Sequence, residues 1–408
     1  MKVLLIHQAF VTPEESGGTR HYELAEHSRS EGIEFTVVAS NVSYLTGRPV
    51  TAERRLVQEE WAGGLRILRA YTLSTLHRSF IWRVAAHWSF MITSIYAALR
   101  AGPVDVVMGT SPPIFQAGSS WLVSALKRKP FLLEIRDLWP GFAIDMGVLK
   151  NPALIALSRW LENFLYARAA KILVNSPAYR DHLEQRGIAA DKLALIANGV
   201  DLASFAGGGT DPEYRKTMGW ENRFVVTYAG ALGLANDLPV ILKAAERLKE
   251  EKNIHFVLAG DGKERPKLEA MASEMGLWNV TFLGVRPKQE IPRLLAASDA
   301  CVAALQNIPM FRMTYPNKVF DYMAAGKPTL LLIDGVIRDV VEAASGGTFI
   351  PPGDDEALAN AVKGYAANPS LGEAQGKAAR EYVERHFNRK DQARQFSELL
   401  QSLGTRRA

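Results

Sequence analysis

Cysteine is almost missing from this chain. Cys301 stands alone among 408 residues, which excludes an intramolecular disulfide and fits a reducing, cytoplasmic setting. Long uncharged apolar runs are missing too. The opening Met1-Lys2-Val3-Leu4-Leu5-Ile6 is too short for a signal peptide and reads as a first strand. No Asp-x-Asp pair occurs, so no metal is expected to bridge a diphosphate, and no cofactor is expected. There is no RNA-binding aromatic motif, and no basic tail beyond Arg406-Arg407, which argues against a nucleic-acid partner. Neither sign of charge dominates. The net +5 is compatible with anionic substrates and an anionic membrane surface but demands neither.

What is present describes an α/β protein. The length suits two domains, and 48% hydrophobic residues with 32 glycines suggest large cores and tight strand-to-helix turns. A strand at Lys2–Ile6, a loop ending in Ser16-Gly17-Gly18-Thr19, a helix and a strand at 34–39 form a β-loop-α-β unit. Glycines at a helix start let backbone N–H groups approach an anion, although a plain tight turn needs them as well. Strands at 104–108 and 131–135 lead into Thr110-Ser111-Pro112-Pro113 and Arg136-Asp137-Leu138-Trp139-Pro140. Loops at the carboxyl ends of parallel strands are where such folds hold ligands, which makes Arg136 and Asp137 catalytic candidates; the plain alternative is an Arg–Asp pair steadying a loop.

Residues 79–99 repeat apolar side chains at helical spacing and approach the ~20 residues of a membrane span, but Arg83 and His87 interrupt them. The segment reads either as a helix buried on one side or as a helix lying in a membrane interface, with Trp82, Trp88 and Phe90 beside Arg78 and Arg83. The expected boundaries are a first domain at 1–200, a second at 201–385, and a terminal helix at 386–408 crossing back to the first. Gly207-Gly208-Gly209 reads as the hinge. After it the strand–helix alternation restarts, with a glycine loop from Gly230 through Gly233 to Asn236, Asp237 as a helix cap, and a second turn at Gly260-Asp261-Gly262. Two Rossmann-like doubly wound domains facing a cleft are expected.

The densest signal is Tyr315-Pro316-Asn317-Lys318-Val319-Phe320-Asp321-Tyr322-Met323-Ala324-Ala325-Gly326-Lys327-Pro328. It reads as a short helix with Val319, Phe320 and Met323 on a core face. Asn317, Lys318 and Asp321 share the other face. That face sets an amide and an ammonium at the positive helix end, with a carboxylate one turn deeper. A nucleoside diphosphate needs such a layout, and an ordinary solvated surface helix is the bland alternative. The stretch resembles the nucleotide-binding segment of retaining glycosyltransferases of family 4, in the branch that makes bacterial surface polysaccharides. Arg136-Asp137-Leu138-Trp139-Pro140 resembles a signature of that branch, and the likeness covers nearly the whole chain.

The resemblance implies a GT-B fold and roles for particular residues. Gly17 and Gly18 would approach the donor phosphates and the acceptor. Gly230, Gly233, Asn236 and Gly260 would line the diphosphate loops. The segment Val285 to Lys288, with Arg286, would hold the uracil edge. Asp321 would bind the ribose, with Asn317 and Lys318 on the phosphates. The chain departs from the family in three places. The phosphate loop carries no cation, which leaves Lys318 or Lys288 to supply the charge, and Lys318 is the one expected to do so and to act in catalysis with Arg136 and Asp137. Met313 stands where the first acid of the family's spaced pair would fall, and Arg136-Asp137 stands where many members carry a histidine. The implied activity is transfer, with retention, of a sugar from a nucleoside diphosphate sugar, UDP-linked by this reading, to a lipid-linked saccharide acceptor in surface polysaccharide assembly. A nucleotide-sugar epimerase, a glycan phosphorylase and a non-catalytic membrane-associated binding protein are the alternatives.

Overall fold

The computed structural model describes the chain apart from residues 45, 51–54, 76–79, 207–209 and 406–408. The expected hinge glycines, Arg78 and Arg406-Arg407 lie outside the described residues. Two compact units form. The first comprises Met1–Thr12, Thr19–Ala197 and Lys390–Ala408; the second comprises Pro13–Gly18 and Asn198–Arg389.

In the first unit, β1 (Lys2–Ile6), α1 (Arg20–Arg29) and β2 (Glu34–Ser40) precede β3 (Val57–Ala62) and β4 (Leu65–Ala70). Then follow α2 (Phe80–Leu99), β5 (Val106–Ser111), α3 (Ile114–Lys127) and β6 (Phe131–Ile135). The unit continues through α4 (Gly141–Asp145), α5 (Pro152–Arg168), β7 (Lys171–Val174), α6 (Pro177–Gln185) and β8 (Leu193–Leu195). The sheet order is β3-β4-β2-β1-β5-β6-β7-β8, parallel except for the antiparallel edge strand β3. Parallel strands covered on both faces must be apolar on both faces, which is why Lys2–Ile6 and Phe131–Ile135 read as continuous apolar runs. The expected strand at 104–108 instead runs from Val106 to Ser111, because Thr110 and Ser111 stay in register with Glu134 and Ile135. Edge strand β3, half-exposed and charged, has no apolar pattern to announce it.

The second unit begins with α7 (Pro212–Met218), β9 (Phe224–Ala229), α8 (Pro239–Arg247) and β10 (Ile254–Ala259). It continues with α9 (Arg265–Glu274), β11 (Val280–Gly284), α10 (Ile291–Ala296) and β12 (Ala300–Ala304). Then come α11 (Asn317–Ala324), β13 (Thr329–Leu332), α12 (Val336–Ala343), β14 (Gly347–Phe349), α13 (Asp355–Ala367) and α14 (Pro369–His386). Its parallel sheet runs β11-β10-β9-β12-β13-β14. Asp237 does not cap α8 as expected: it adopts φ 43, and the helix starts two residues later at Pro239. The last helix, α15 (Arg389–Gly404), joins the first unit, where Phe396, Leu400 and Leu403 enter the core around β1 and β2.

Each sheet reverses its strand order once, between β1 and β5 in the first unit and between β9 and β12 in the second. The helices depart to opposite faces there, leaving a crevice at the strands' carboxyl ends. Both clusters of candidate residues lie at these reversals.

Candidate active site

In the second unit the site is built on α11. Pro316 precedes the helix in an extended conformation, Val319, Phe320 and Met323 bury one face, and Gly326 ends it at φ 67. The Tyr322 hydroxyl, fully buried, accepts from the Ala229 N–H at 2.9 Å and fastens the helix to the last residue of β9. Lys318, one turn earlier, lies over the ring of Tyr228, its Nζ 4.1 Å from the ring centre. It donates to the Tyr228 hydroxyl at 2.7 Å and to Asn236 Oδ1 at 2.8 Å. Both partners are neutral. The side chain as a whole is only partly covered, but its ammonium is enclosed, and desolvation pulls its pKa down to about 7.

Glycines admit that ammonium. A Cβ on Gly230 would lie 3.0 Å from Lys318 Nζ, and one on Gly260 would lie 1.8 Å from the Gly230 carbonyl oxygen. The strand-end loops are also tied together, by Gly230 N–H to Ala259 O at 2.9 Å and Gly260 N–H to Gly284 O at 2.8 Å. Gly233 precedes the short turn 234–236 that presents Asn236, whose amide nitrogen donates to Ala231 O at 3.0 Å.

The segment Pro13–Gly18, read from the sequence as part of the first domain, groups with this unit. Ser16 Oγ donates to Arg286 O at 2.6 Å, and Lys288 N–H to Glu15 O at 3.2 Å. Gly17 sits at φ 145, and Gly18 faces the Asn317 amide with room for a methyl, 3.7 Å from Nδ2. Lys288 is no solvated bystander: its Nζ pairs with Asp321 Oδ2 at 2.5 Å. Asn317 Oδ1 and Arg286 Nε are buried without a hydrogen-bond partner. Buried polar atoms are rarely left so, and a polar ligand would complete them. The second unit thus brings together Gly17, Gly18, Gly230, Gly233, Asn236, Gly260, Arg286, Lys288, Asn317, Lys318 and Asp321.

Arg136 and Asp137 belong to the first unit, beside a polar cluster the sequence reading did not find. His7 follows β1 directly, and its Nδ1 lies 2.8 Å from Thr110 Oγ1. Arg136 approaches His7 Nε2 at 3.3 Å, so that nitrogen must accept and Nδ1 carry the hydrogen. Burial, with His21 and Arg136 nearby, keeps His7 neutral by lowering its pKa well below the usual value. The His7 and His21 ring centres are 4.2 Å apart. His21 Nε2 bonds Glu134, which Arg20 also reaches at 3.1 Å while its guanidinium donates to Ala197 O and Ile196 O, each at 2.7 Å. Burial alone would raise the Glu134 pKa. The bond from His21 and the charges of Arg20 and Arg136 overcome that, so the carboxylate titrates well below its ordinary range. Asp137 has no such support, and burial lifts it to about 6 against the opposing pull of Arg136. The available signal was Glu134 itself, one carboxylate in an otherwise apolar buried strand.

Comparison with known proteins bears on both units. Residues 17–199 match the model described as a glycosyl transferase 4-like domain, and residues 210–382 match glycosyl transferases group 1. The Escherichia coli K12 protein WcaI, named for a glycosyl transferase of colanic acid biosynthesis, is 23% identical over 408 residues, covering 96% of this chain and 98% of its own. Sucrose-phosphate synthase from Thermosynechococcus elongatus superposes with a TM-score of 0.77 at 20% identity, covering 98% of each chain. Anabaena HepE, crystallised with UDP-glucose, gives 0.73 at 18% identity, over 99% of this chain and 100% of its own. At such identities the structural likeness concerns the fold.

Proposed function

Because this chain belongs to the family 4, group 1 glycosyltransferases of GT-B fold, in the branch serving polysaccharide biosynthesis, we propose that it transfers a sugar from a UDP-sugar to a lipid-linked saccharide, with retention. The observation that carries the donor half is Lys318: an enclosed ammonium held by a phenol and a carboxamide, beside glycine loops at a sheet reversal. Such a cation is underused until an anion arrives. A diphosphate would complete it, and main-chain N–H groups of the Gly230 and Gly260 turns and of Gly17-Gly18 would share the remaining charge. In the transition state the same groups stabilise the leaving UDP, because fixed donors in a desolvated site need no reorganisation as charge develops. In this reading these groups do the work that a metal bridge would otherwise do.

Asp321 holds the ribose hydroxyls and gives up part of its bond to Lys288 in doing so. Asn317 Oδ1 and Arg286 Nε complete the polar contacts to the nucleotide. UDP as the nucleotide draws support from HepE, whose structure holds UDP-glucose. The acceptor half falls to Arg136 and Asp137: Arg136, steadied by neutral His7, positions the acceptor, and Asp137 takes or orients its proton. The test is thermal stabilisation across a panel of nucleoside diphosphates and their sugars. UDP-linked ligands should raise the melting temperature of the wild type, and Lys318→Met should abolish most of that rise. A panel in which no nucleotide stabilises the protein would sink the reading.

A further inference from the structure

Arg136 carries a charge that meets no partner of opposite sign among the described residues. Its main chain is fixed on both sides, the N–H given to Ser111 O at 2.8 Å and the carbonyl held by Asn175 Nδ2 at 3.2 Å. The guanidinium, half-buried at the carboxyl end of β6, reaches the neutral ring of His7 at 3.3 Å. That ring is held in turn. Its Nδ1–H points to Thr110 Oγ1, which also accepts from Gln116 Nε2 at 2.7 Å, and Gln116 Oε1 accepts from the Gln8 N–H at 2.6 Å. The other buried charges balance without Arg136. Arg20 and Glu134 pair with each other, His21 bonds the second Glu134 oxygen, and burial lowers the pKa of both histidines. Asp137 is no counter-ion either, because no ion pair joins the two and burial outweighs the pull of Arg136 on that carboxyl.

A guanidinium has five donors in a planar fork and stays charged at any working pH. Held in a fixed place with a neutral imidazole as its partner, it suits an oxyanion that can take two of its N–H groups at once. Asp137 then limits where that anion sits. The two residues are consecutive, with Cα atoms ~3.8 Å apart, so a hydroxyl at the Asp137 carboxylate and an anion at the guanidinium belong to one small fragment of ligand. A neutral saccharide would leave the arginine unanswered. We propose that the acceptor carries a phosphate or carboxylate on the same sugar ring as its accepting hydroxyl, and that Arg136 binds that group. The inference rests on the reading of Arg136 and Asp137 as the acceptor side, and goes past it by naming the acceptor's chemistry: a glycosyl phosphate or a uronate. In a chain built on a lipid phosphate, the sugar joined to the lipid alone holds the linking phosphate. A phosphate at Arg136 therefore makes the transferred sugar the second of its chain.

Matched ligands with and without the anion test it, titrated by calorimetry or saturation-transfer NMR after the donor site is filled with UDP. The pairs are glucose 1-phosphate with methyl glucoside, N-acetylglucosamine 1-phosphate with its methyl glycoside, and methyl glucuronide with methyl glucoside. At least one anionic member should bind the wild type about tenfold or more tightly than its neutral partner, the scale of a charge-assisted hydrogen-bonded pair. Arg136→Gln should bring that pair within about twofold of each other, and Arg136→Lys should restore part of the preference as a point charge without the fork. Both variants should keep the wild-type melting temperature and its shift with UDP. A phosphate preference assigns the step to the sugar next to the lipid, and a uronate preference assigns it to an acidic ring. Neutral partners that bind as well, a panel in which nothing binds, or a preference that survives Arg136→Gln would each overturn the proposal. So would loss of the UDP shift in Arg136→Gln, which would give the arginine to the donor. The same titrations in Lys318→Met need no UDP, so a failed donor reading leaves this measurement standing.

Discussion

Lys318 holds its ammonium against two neutral oxygens, and the cost of that desolvation is read in its protonation. Its pKa near 7 lies below the ordinary lysine value, so above pH 7 much of the group is neutral. A bound diphosphate favours the charged form and raises the pKa again. Binding UDP at pH 8 should therefore take up close to one proton, and affinity should fall as pH rises past 7. Calorimetry in buffers of different ionisation enthalpy measures this directly, and the uptake should vanish in Lys318→Met. Asp137 gives the opposite limb. With a pKa of about 6, its carboxylate is lost as pH falls through 6, so transfer should decline there. A pH–rate profile flat down to pH 5 would remove Asp137 from proton transfer. Residue types in the strip 315–328 were legible in the sequence; the company Lys318 keeps was not. Tyr228 is 90 residues away, inside a strand whose pattern announces only burial.

Among the elements, the loop after β10 passes so close to the backbone of the loop after β9 that Gly260 has no room for a side chain. Gly260→Ala would drive a methyl into the Gly230 carbonyl oxygen, fixed backbone that cannot step aside as a flexible side chain would. The expected cost is about 1–3 kcal/mol of stability, seen in urea unfolding, together with loss of the UDP-induced rise in melting temperature. Gly18→Ala is the control: its new methyl meets only an ordinary contact with Asn317, so stability should change little. Most elements were recoverable from local pattern, among them β9, β10 and β12, whose buried parallel strands need unbroken apolar runs. The misses share a cause. Edge strand β3 has a half-wet surface and no periodicity to read, and Asp237 has the chemistry of a cap in a backbone conformation that cannot use it.

At the scale of the molecule, the chain passes between units at residues 12–13, 18–19, 197–198 and 389–390. Each unit has its own core, and α15 closes the first by packing Phe396 against Phe35, with ring centres 6.1 Å apart. Phe396→Ala should cost about 3–5 kcal/mol, the range for a buried aromatic, and the loss should fall on the unit that α15 completes. UDP should act on the other one, by roughly 2.7 kcal/mol at a hundred times its Kd. Calorimetry of wild type and variant with and without UDP should therefore resolve two transitions that move independently. A single transition shifted alike by both perturbations would contradict this.

From its order of residues alone, the chain declared two doubly wound α/β units, a short helix within 315–328 with one apolar and one polar face, and likeness to family 4 glycosyltransferases. Those features rest on patterns within a few turns of chain, where apolar spacing and cap chemistry act directly. Tertiary structure alone decided that Pro13–Gly18 serves the second unit, that Lys288 faces Asp321, and that His7, His21, Arg20 and Glu134 share one buried cluster. These pairings join residues tens to more than a hundred positions apart, and no local propensity encodes a partner that only packing brings near.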